Sequence, residues 1–178
     1  MTDLYTLPRQ AVLGDAVFDI RCAWQDALAV LQILDSDAPE WVRWFRAIDR
    51  FYVQRVPNEL LGAAAAWMAE FLTAGRTDSG GVKLLDWQAD AMEIIADINR
   101  VAGIEVRNTD AHWWTFLAWF HAIGEGQLSA LVGLRRKLLR GEKLTAAEQE
   151  FYRQNKARVR LQSPDSTEKQ KLLRRIEN

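Results

Sequence analysis

The sequence predicts a mainly α fold, a compact helical domain with a short N-terminal β-hairpin, and three observations predict it. Apolar residues recur at three- and four-residue spacing in run after run, which is the period of a helix with one buried face. One run, Asp110 to Gly124, carries Trp113, Trp114, Phe116, Leu117, Trp119, Phe120 and Ile123 and is apolar nearly all round. Such a helix is central, or lies partly in a subunit interface, where aromatics are enriched. Strand chemistry occurs once, near the N-terminus.

That strand signal is Gln10 to Leu13 and Ala16 to Ile20, two runs with apolar and β-branched residues separated by Gly14-Asp15. From Ala23 to Leu34, Trp24, Ala27, Leu28, Leu31 and Leu34 fall on one helical face. The next helix has a sharper start. Asp37 and Glu40 form a capping-box pattern around Pro39, and Trp41, Trp44, Phe45, Ile48, Phe51 and Tyr52 make the expected buried stripe, with Arg43, Arg46 and Arg50 on the wetter side. Pro57 breaks that helix and begins another, whose buried face is Leu60, Leu61, Ala64, Trp67, Met68 and Phe71.

Thr73 to Gly81 holds three glycines with Thr, Asp and Ser and reads as an exposed loop. Asp86 is placed to cap a helix with the face Trp87, Ala91, Ile94, Ile95, Ile98 and Val101, which Gly103 ends in the left-handed region. After the aromatic helix, Leu128, Leu131, Val132 and Leu138 predict another, with Arg135, Arg136, Lys137 and Arg140 toward its C-terminus, where cations complement the dipole, and Gly141 as its stop. Thr145 and Glu148 make a second capping box. Beyond Gln154 apolar residues thin out, and a peripheral helix, partial disorder or ordering on a partner is expected. The resulting division is a helical core domain, 1–141, and a basic helical extension, 142–178.

A chain of 178 residues with 49% apolar content can bury a real core without staples. Its single cysteine, Cys22, excludes an internal disulfide and fits a reducing compartment. Met1 to Pro8 lacks a basic region and an apolar run, and no segment is long and apolar enough to span a bilayer, so a cytoplasmic protein is expected. The formal net charge of −1 hides a split: Gly126 to Asn178 has thirteen Lys and Arg against six Asp and Glu, +7, and the remainder carries −8. The halves can attract one another, or the basic part can face an anionic partner, with solvated faces and helix ends as the simpler account.

Chemistry-bearing residues are few. His112 and His121 are nine residues apart, about 900° around a helix, so they cannot share one metal ion, and neither is expected to be catalytic. Asp86, Asp90, Glu93 and Asp97 form an acidic ridge at helical spacing; one convex ridge does not enclose a cation, and the expected reading is a solvated outer face, with docking of a basic segment next. Arg135, Arg136, Lys137 and Arg140, with Arg153, Lys156, Arg158 and Arg160, are the candidate partner-binding group, but neither a basic overall balance nor a groove-reading motif supports nucleic-acid binding. There is no phosphate loop, nucleophile elbow or histidine metal motif. No catalytic residue, metal site or cofactor is expected, and the chain does not read as an enzyme.

The succession Asp86-Trp87-Gln88-Ala89-Asp90, the helix through Ile94, Ile95 and Ile98, Gly103-Ile104, and Asp110-Ala111-His112-Trp113-Trp114-Thr115-Phe116 resembles the bacteriophage gene-product-fifteen family. Leu7-Pro8, the hairpin and Asp19-Ile20-Arg21 entering a helix are also similar, and the resemblance spans Leu7 to Ile123. It implies a tail assembly chaperone-like protein of a phage or prophage that binds the tape-measure protein and recruits tail-tube subunits, acts in the host cytoplasm, self-associates and is absent from the mature virion. It makes His112, Trp113, Trp114 and Phe116 a family signature, with core packing as their physical role. The alternative is a phage nucleic-acid-associated protein using the basic C-terminal part.

Overall fold

The computed structural model describes residues 6–76 and 84–161. Among them are eight α-helices and one two-stranded antiparallel hairpin, so the fold is mainly α with minor β character. The chain divides into two compact units: Met1–Gly81 with Ile98–Ala122, and Val82–Asp97 with Ile123–Asn178. The boundary expected at Gly141 falls inside the second unit. Part of the expected loop at Thr73 to Gly81 and all of the tail after Leu161 lie outside the described residues.

In the first unit, β1 (Gln10–Leu13) and β2 (Ala16–Asp19) pair with Gln10 opposite Asp19 and Leu13 opposite Ala16. Gly14 supplies the positive φ of the turn, +63°. Period-two alternation sends Ala11, Leu13 and Phe18 inward and leaves Val12 and Val17 exposed. The following segment is pinned at both ends, Ile20 bridging to Tyr52 and Ala23 to His112. It leads into α1 (Trp24–Leu34), which packs on α2 (Glu40–Phe51) and on α5 (Trp113–His121); α2 packs in turn on α3 (Leu61–Thr73).

The start of α2 differs from expectation in two ways. Its N-cap is Pro39 and no side chain caps it, so the Asp37 and Glu40 box does not form. Ala47, Ile48 and Phe51 are buried, whereas Trp41 is 75% and Phe45 51% exposed. At 100° per residue Trp41 falls about 20° and Phe45 about 60° from Ile48, at the edge of a buried face that is centred nearer Phe51 and takes in Ala47. Ile48, Phe51 and Tyr52 of the expected stripe are buried, and only its Trp41 and Phe45 edge is left exposed.

Aromatic rings fill this unit's interior. Trp24 stacks on Phe116 at 4.8 Å and Phe116 on Trp113 at 5.6 Å; Phe51 lies 5.2 Å from Phe71, which stacks on Trp114 at 5.8 Å. Each such pair adds about 0.5–1.5 kcal/mol beyond area burial. Tyr52 is buried with its hydroxyl donating to the Ala64 carbonyl at 3.0 Å, and burial pushes the phenol's pKa up. Trp113 and Phe116 are buried in α5 as the sequence requires, although Leu117, Trp119 and Phe120 are only half-buried.

The second unit contains the start of α4 (Ala91–Ala102), then α6 (Gln127–Arg140), α7 (Ala146–Gln154) and the short α8 (Lys156–Val159). Asp86 accepts from the Gln88 and Ala89 amides, each at 2.9 Å, so it caps a turn that precedes α4 rather than α4 itself. Gly103 and Gly141 adopt φ of +70° and +66° at the helix stops read from the sequence. The Thr145 and Glu148 capping box forms in both directions, at 3.3 and 2.8 Å. Leu131, Leu134 and Val159 make the unit's small core, with Leu138, Leu144 and Tyr152 packed around it.

Candidate functional site

The acidic ridge is not a solvated face. Asp90 is fully buried and Glu93 and Asp97 are each 5% exposed, and each carboxylate meets a specific donor. Arg135 grips Asp90 with two bonds, Nη1 to Oδ2 at 2.6 Å and Nη2 to Oδ1 at 2.7 Å, and Asp90 also accepts from the Asp86 amide at 2.9 Å. Glu93 pairs with Arg158. Asp97 accepts from the Leu128 amide at 3.0 Å, capping the N-terminus of α6 from another helix. The attraction between the acidic and basic segments is therefore realised inside this unit. Uncompensated burial of any of these carboxylates would be costly, and the paired donors remove that cost.

The candidate partner-binding group separates accordingly. Arg135 is 5% exposed, and all five of its N–H bonds are occupied: beside Asp90 it donates to the Val159 carbonyl at 2.9 Å, the Leu84 carbonyl at 3.0 Å and the Arg158 carbonyl at 2.8 Å. Its guanidinium is a fixed part of the interior, which corrects the reading of Arg135 as a surface group. Lys137 is half-buried and donates to Glu148 at 2.6 Å; the Lys137 ammonium holds the Glu148 carboxyl below its usual range. Arg136 and Arg140 remain on the surface, Arg140 with Glu142 at 3.6 Å. These two still face solvent.

His112, Trp113 and Trp114 act together at one junction of the first unit. His112 is the N-cap of α5: its Nδ1 accepts from the Trp114 amide at 3.1 Å and its Nε2 donates to the Pro8 carbonyl at 2.9 Å. Burial, with a smaller contribution from the Arg9 charge, lowers its pKa against the opposing pull of the Pro8 carbonyl. Trp113 and Trp114 donate their indole N–H groups to the Leu72 and Phe71 carbonyls, at 2.9 and 2.8 Å. Those carbonyls belong to the last turn of α3, where intrahelical donors run out. The adjacent tryptophans thus close the C-terminus of one helix while their rings pack its side chains.

The same device recurs. Arg43 donates to the Leu34 carbonyl at the end of α1, and Arg21 donates to the Arg50 and Tyr52 carbonyls at the end of α2, at 2.7, 2.8 and 2.7 Å. With Arg135 on α8, distant donors serve four helix C-termini. The sequence reading missed these roles because the carbonyls are backbone groups with no residue-type signal. The one legible hint was in α6, where Leu128, Leu131 and Arg135 share a phase at i, i+3 and i+7.

No protein-family model, curated protein or solved structure matches this chain.

Among the described residues, no group of three His, Cys, Asp or Glu side chains is placed to hold a metal ion, and no helix is long and apolar enough to cross a membrane. His121 is exposed, its pKa lowered by partial burial and the nearby Arg76 charge, and it forms no site with His112. What the second unit does offer is an apolar crevice of about 190 Å³ lined by Gln127, Ala130, Leu131, Phe151 and Arg158, with Phe151 42% exposed. It is a contact surface of modest depth.

Proposed function

We propose that this chain is a tail assembly chaperone-like protein of a phage or prophage, which binds a tape-measure protein and recruits tail-tube subunits without performing catalysis. The resemblance of His112, Trp113, Trp114 and Phe116 to the gene-product-fifteen signature supplies the specific identity. The observation that carries the binding role is the crevice between α6 and α7, where Phe151, Leu131 and Ala130 offer an apolar seat to one face of a partner helix. Arg136 and Arg140, exposed on the same helix as Leu131, suit acidic residues flanking that face. The chemistry-bearing side chains elsewhere support a scaffold: the buried carboxylates hold cations or cap helices, and His112 holds the chain at Pro8. The setting that goes with this reading is the host cytoplasm, with the protein left out of the finished virion.

The nucleic-acid reading is weaker because Arg135, Lys137, Arg153 and Arg158 are paired with acids inside the chain, which reduces the charge free to release counterions. Co-expression with a tape-measure protein followed by co-purification tests the proposal. Capture should persist at moderate salt and fall on Phe151→Ala while the helical spectrum is retained. Absence of capture together with salt-steep binding to duplex DNA would replace this reading with its rival.

A further inference from the structure

We propose that residues 162–178 of this chain fold back onto the crevice between α6 and α7, seating Leu172, Leu173 and Ile176 against Phe151, Leu131 and Ala130. The chain then covers its own partner-binding surface until a partner displaces the segment. The masking role rests on the tail-assembly reading; the intramolecular docking does not.

The place where the described chain stops, and the sequence that follows it, single out this occupant. Leu161 lines a cleft of about 590 Å³ with Ala157, Arg158 and Arg160, and Arg158 also lines the crevice, so the chain leaves the second unit beside it. Leu172 is eleven residues farther on, a tether that reaches about 36–40 Å at most. Between Gln162 and Asn178, Leu172, Leu173 and Ile176 are the only large apolar side chains, and they fall at i, i+1 and i+4. That spacing places them on one face of a helix, and Asp165 with Glu168 is the pattern of a helix start ahead of them. The face is a single turn long, which suits a crevice of about 190 Å³ rather than a long groove. A short tether also holds its segment at an effective concentration on the order of 1 mM, well above the micromolar range in which separate chains meet.

Charge sets the strength of the contact. Lys169, Lys171, Arg174 and Arg175 accompany the apolar face, while the exposed cations of α6 are Arg136 and Arg140. Asp90, Glu93 and Asp97, the acids that could draw a basic segment elsewhere on this unit, already have their donors. The docking is therefore apolar and works against like charge. With a dissociation constant of about 0.2 mM for the free segment, the tethered crevice is closed about fivefold more often than open. A partner helix with a similar apolar face and acidic flanks replaces that repulsion with attraction and displaces the tail.

Millisecond hydrogen exchange on the full chain tests the docking without any partner. Amides from Leu172 to Ile176 should exchange about three- to tenfold slower than in an isolated peptide of residues 162–178, independently of protein concentration from about 5 to about 100 µM. Phe151→Ala and Ala130→Lys, both at exposed positions, should each remove that protection while the helical spectrum is retained. Added salt should strengthen the protection by screening the cations. Unprotected tail amides overturn the proposal, as does protection indifferent to both crevice substitutions. Protection that grows with concentration gives the crevice to the tail of a second copy and overturns the intramolecular contact. In co-purification, a chain carrying Leu172→Ser, Leu173→Ser and Ile176→Ser should bind the tape-measure protein about three- to tenfold more tightly. Equal capture by the two forms with a protected tail overturns the masking role. A protected tail with no capture by either form sinks the tail-assembly reading and leaves the docking in place, whereas equal capture with an unprotected tail does the reverse.

Discussion

Arg135 meets Asp90 through two parallel bonds, at 2.6 and 2.7 Å, with both side chains almost completely removed from water. Breaking such a pair from one side leaves a buried charge without its partner, and Asp90→Ala should therefore destabilise by about 3–5 kcal/mol in urea unfolding. Replacing both residues with apolar ones is often tolerated at buried ion pairs. Here it should not recover stability, because Arg135 also serves the Leu84, Arg158 and Val159 carbonyls, each left unsatisfied at about 1–3 kcal/mol. A Asp90→Leu, Arg135→Met chain as stable as the original would show that those carbonyls find other donors.

Gly126 and Gly133 make a matched pair of opposite sign. A Cβ on Gly126 would sit 2.5–2.7 Å from the Asp97 carboxylate. Asp97 cannot swing aside without releasing the Leu128 amide it caps, so Gly126→Ala should destabilise by about 1–3 kcal/mol. At Gly133, inside α6, a Cβ meets nothing within 4 Å. Gly133→Ala should stabilise by about 0.5–1 kcal/mol, since alanine loses less backbone entropy in a helix. Thermal melts of the two variants check both signs at once.

The pattern of what was legible follows from the range of each interaction. Helix stops at Gly103 and Gly141, the hairpin at Gly14 and the Thr145 capping box depend on residues within a few positions, and each appears where the sequence places it. The extent of the buried face of α2 was only partly legible: Ile48 and Phe51 are buried as their spacing indicates, while Trp41 and Phe45, at the edge of the same wide apolar arc, are left uncovered. The acidic ridge misled for a related reason. Asp90, Glu93 and Asp97 share their helix with the buried Ile94 and Ile98, and only a partner from a distant segment lets the carboxylates be buried too.

The adjacent tryptophans separate packing from hydrogen bonding. Trp113→Phe keeps most of the ring surface but removes the donor to the Leu72 carbonyl, and should cost about 1–3 kcal/mol. Trp113→Ala also empties a fully buried site and should cost about 3–5 kcal/mol. Equal losses from the two substitutions in urea unfolding would assign the whole effect to the hydrogen bond.

His112 gives the fold a pH dependence whose sign the geometry fixes. Its Nδ1 accepts the Trp114 amide and so bears no proton, leaving Nε2 to donate to Pro8; the folded chain holds the neutral ring. Burial lowers its pKa below the ordinary 6.5. Below that value the unfolded chain binds a proton that the folded one excludes, so this contribution to stability is fully present above pH 6.5 and is lost as pH falls toward the lowered folded value. His121, also lowered, acts in the same direction and is best removed first by His121→Gln. In that background, urea midpoints between about pH 7 and about pH 5.5 should decline with acidification. Adding His112→Asn should flatten the decline, because asparagine can still accept the Trp114 amide as an N-cap yet does not titrate. An unchanged slope would mean that protonation of His112 is accommodated without loss of the cap, and that the acid sensitivity arises elsewhere.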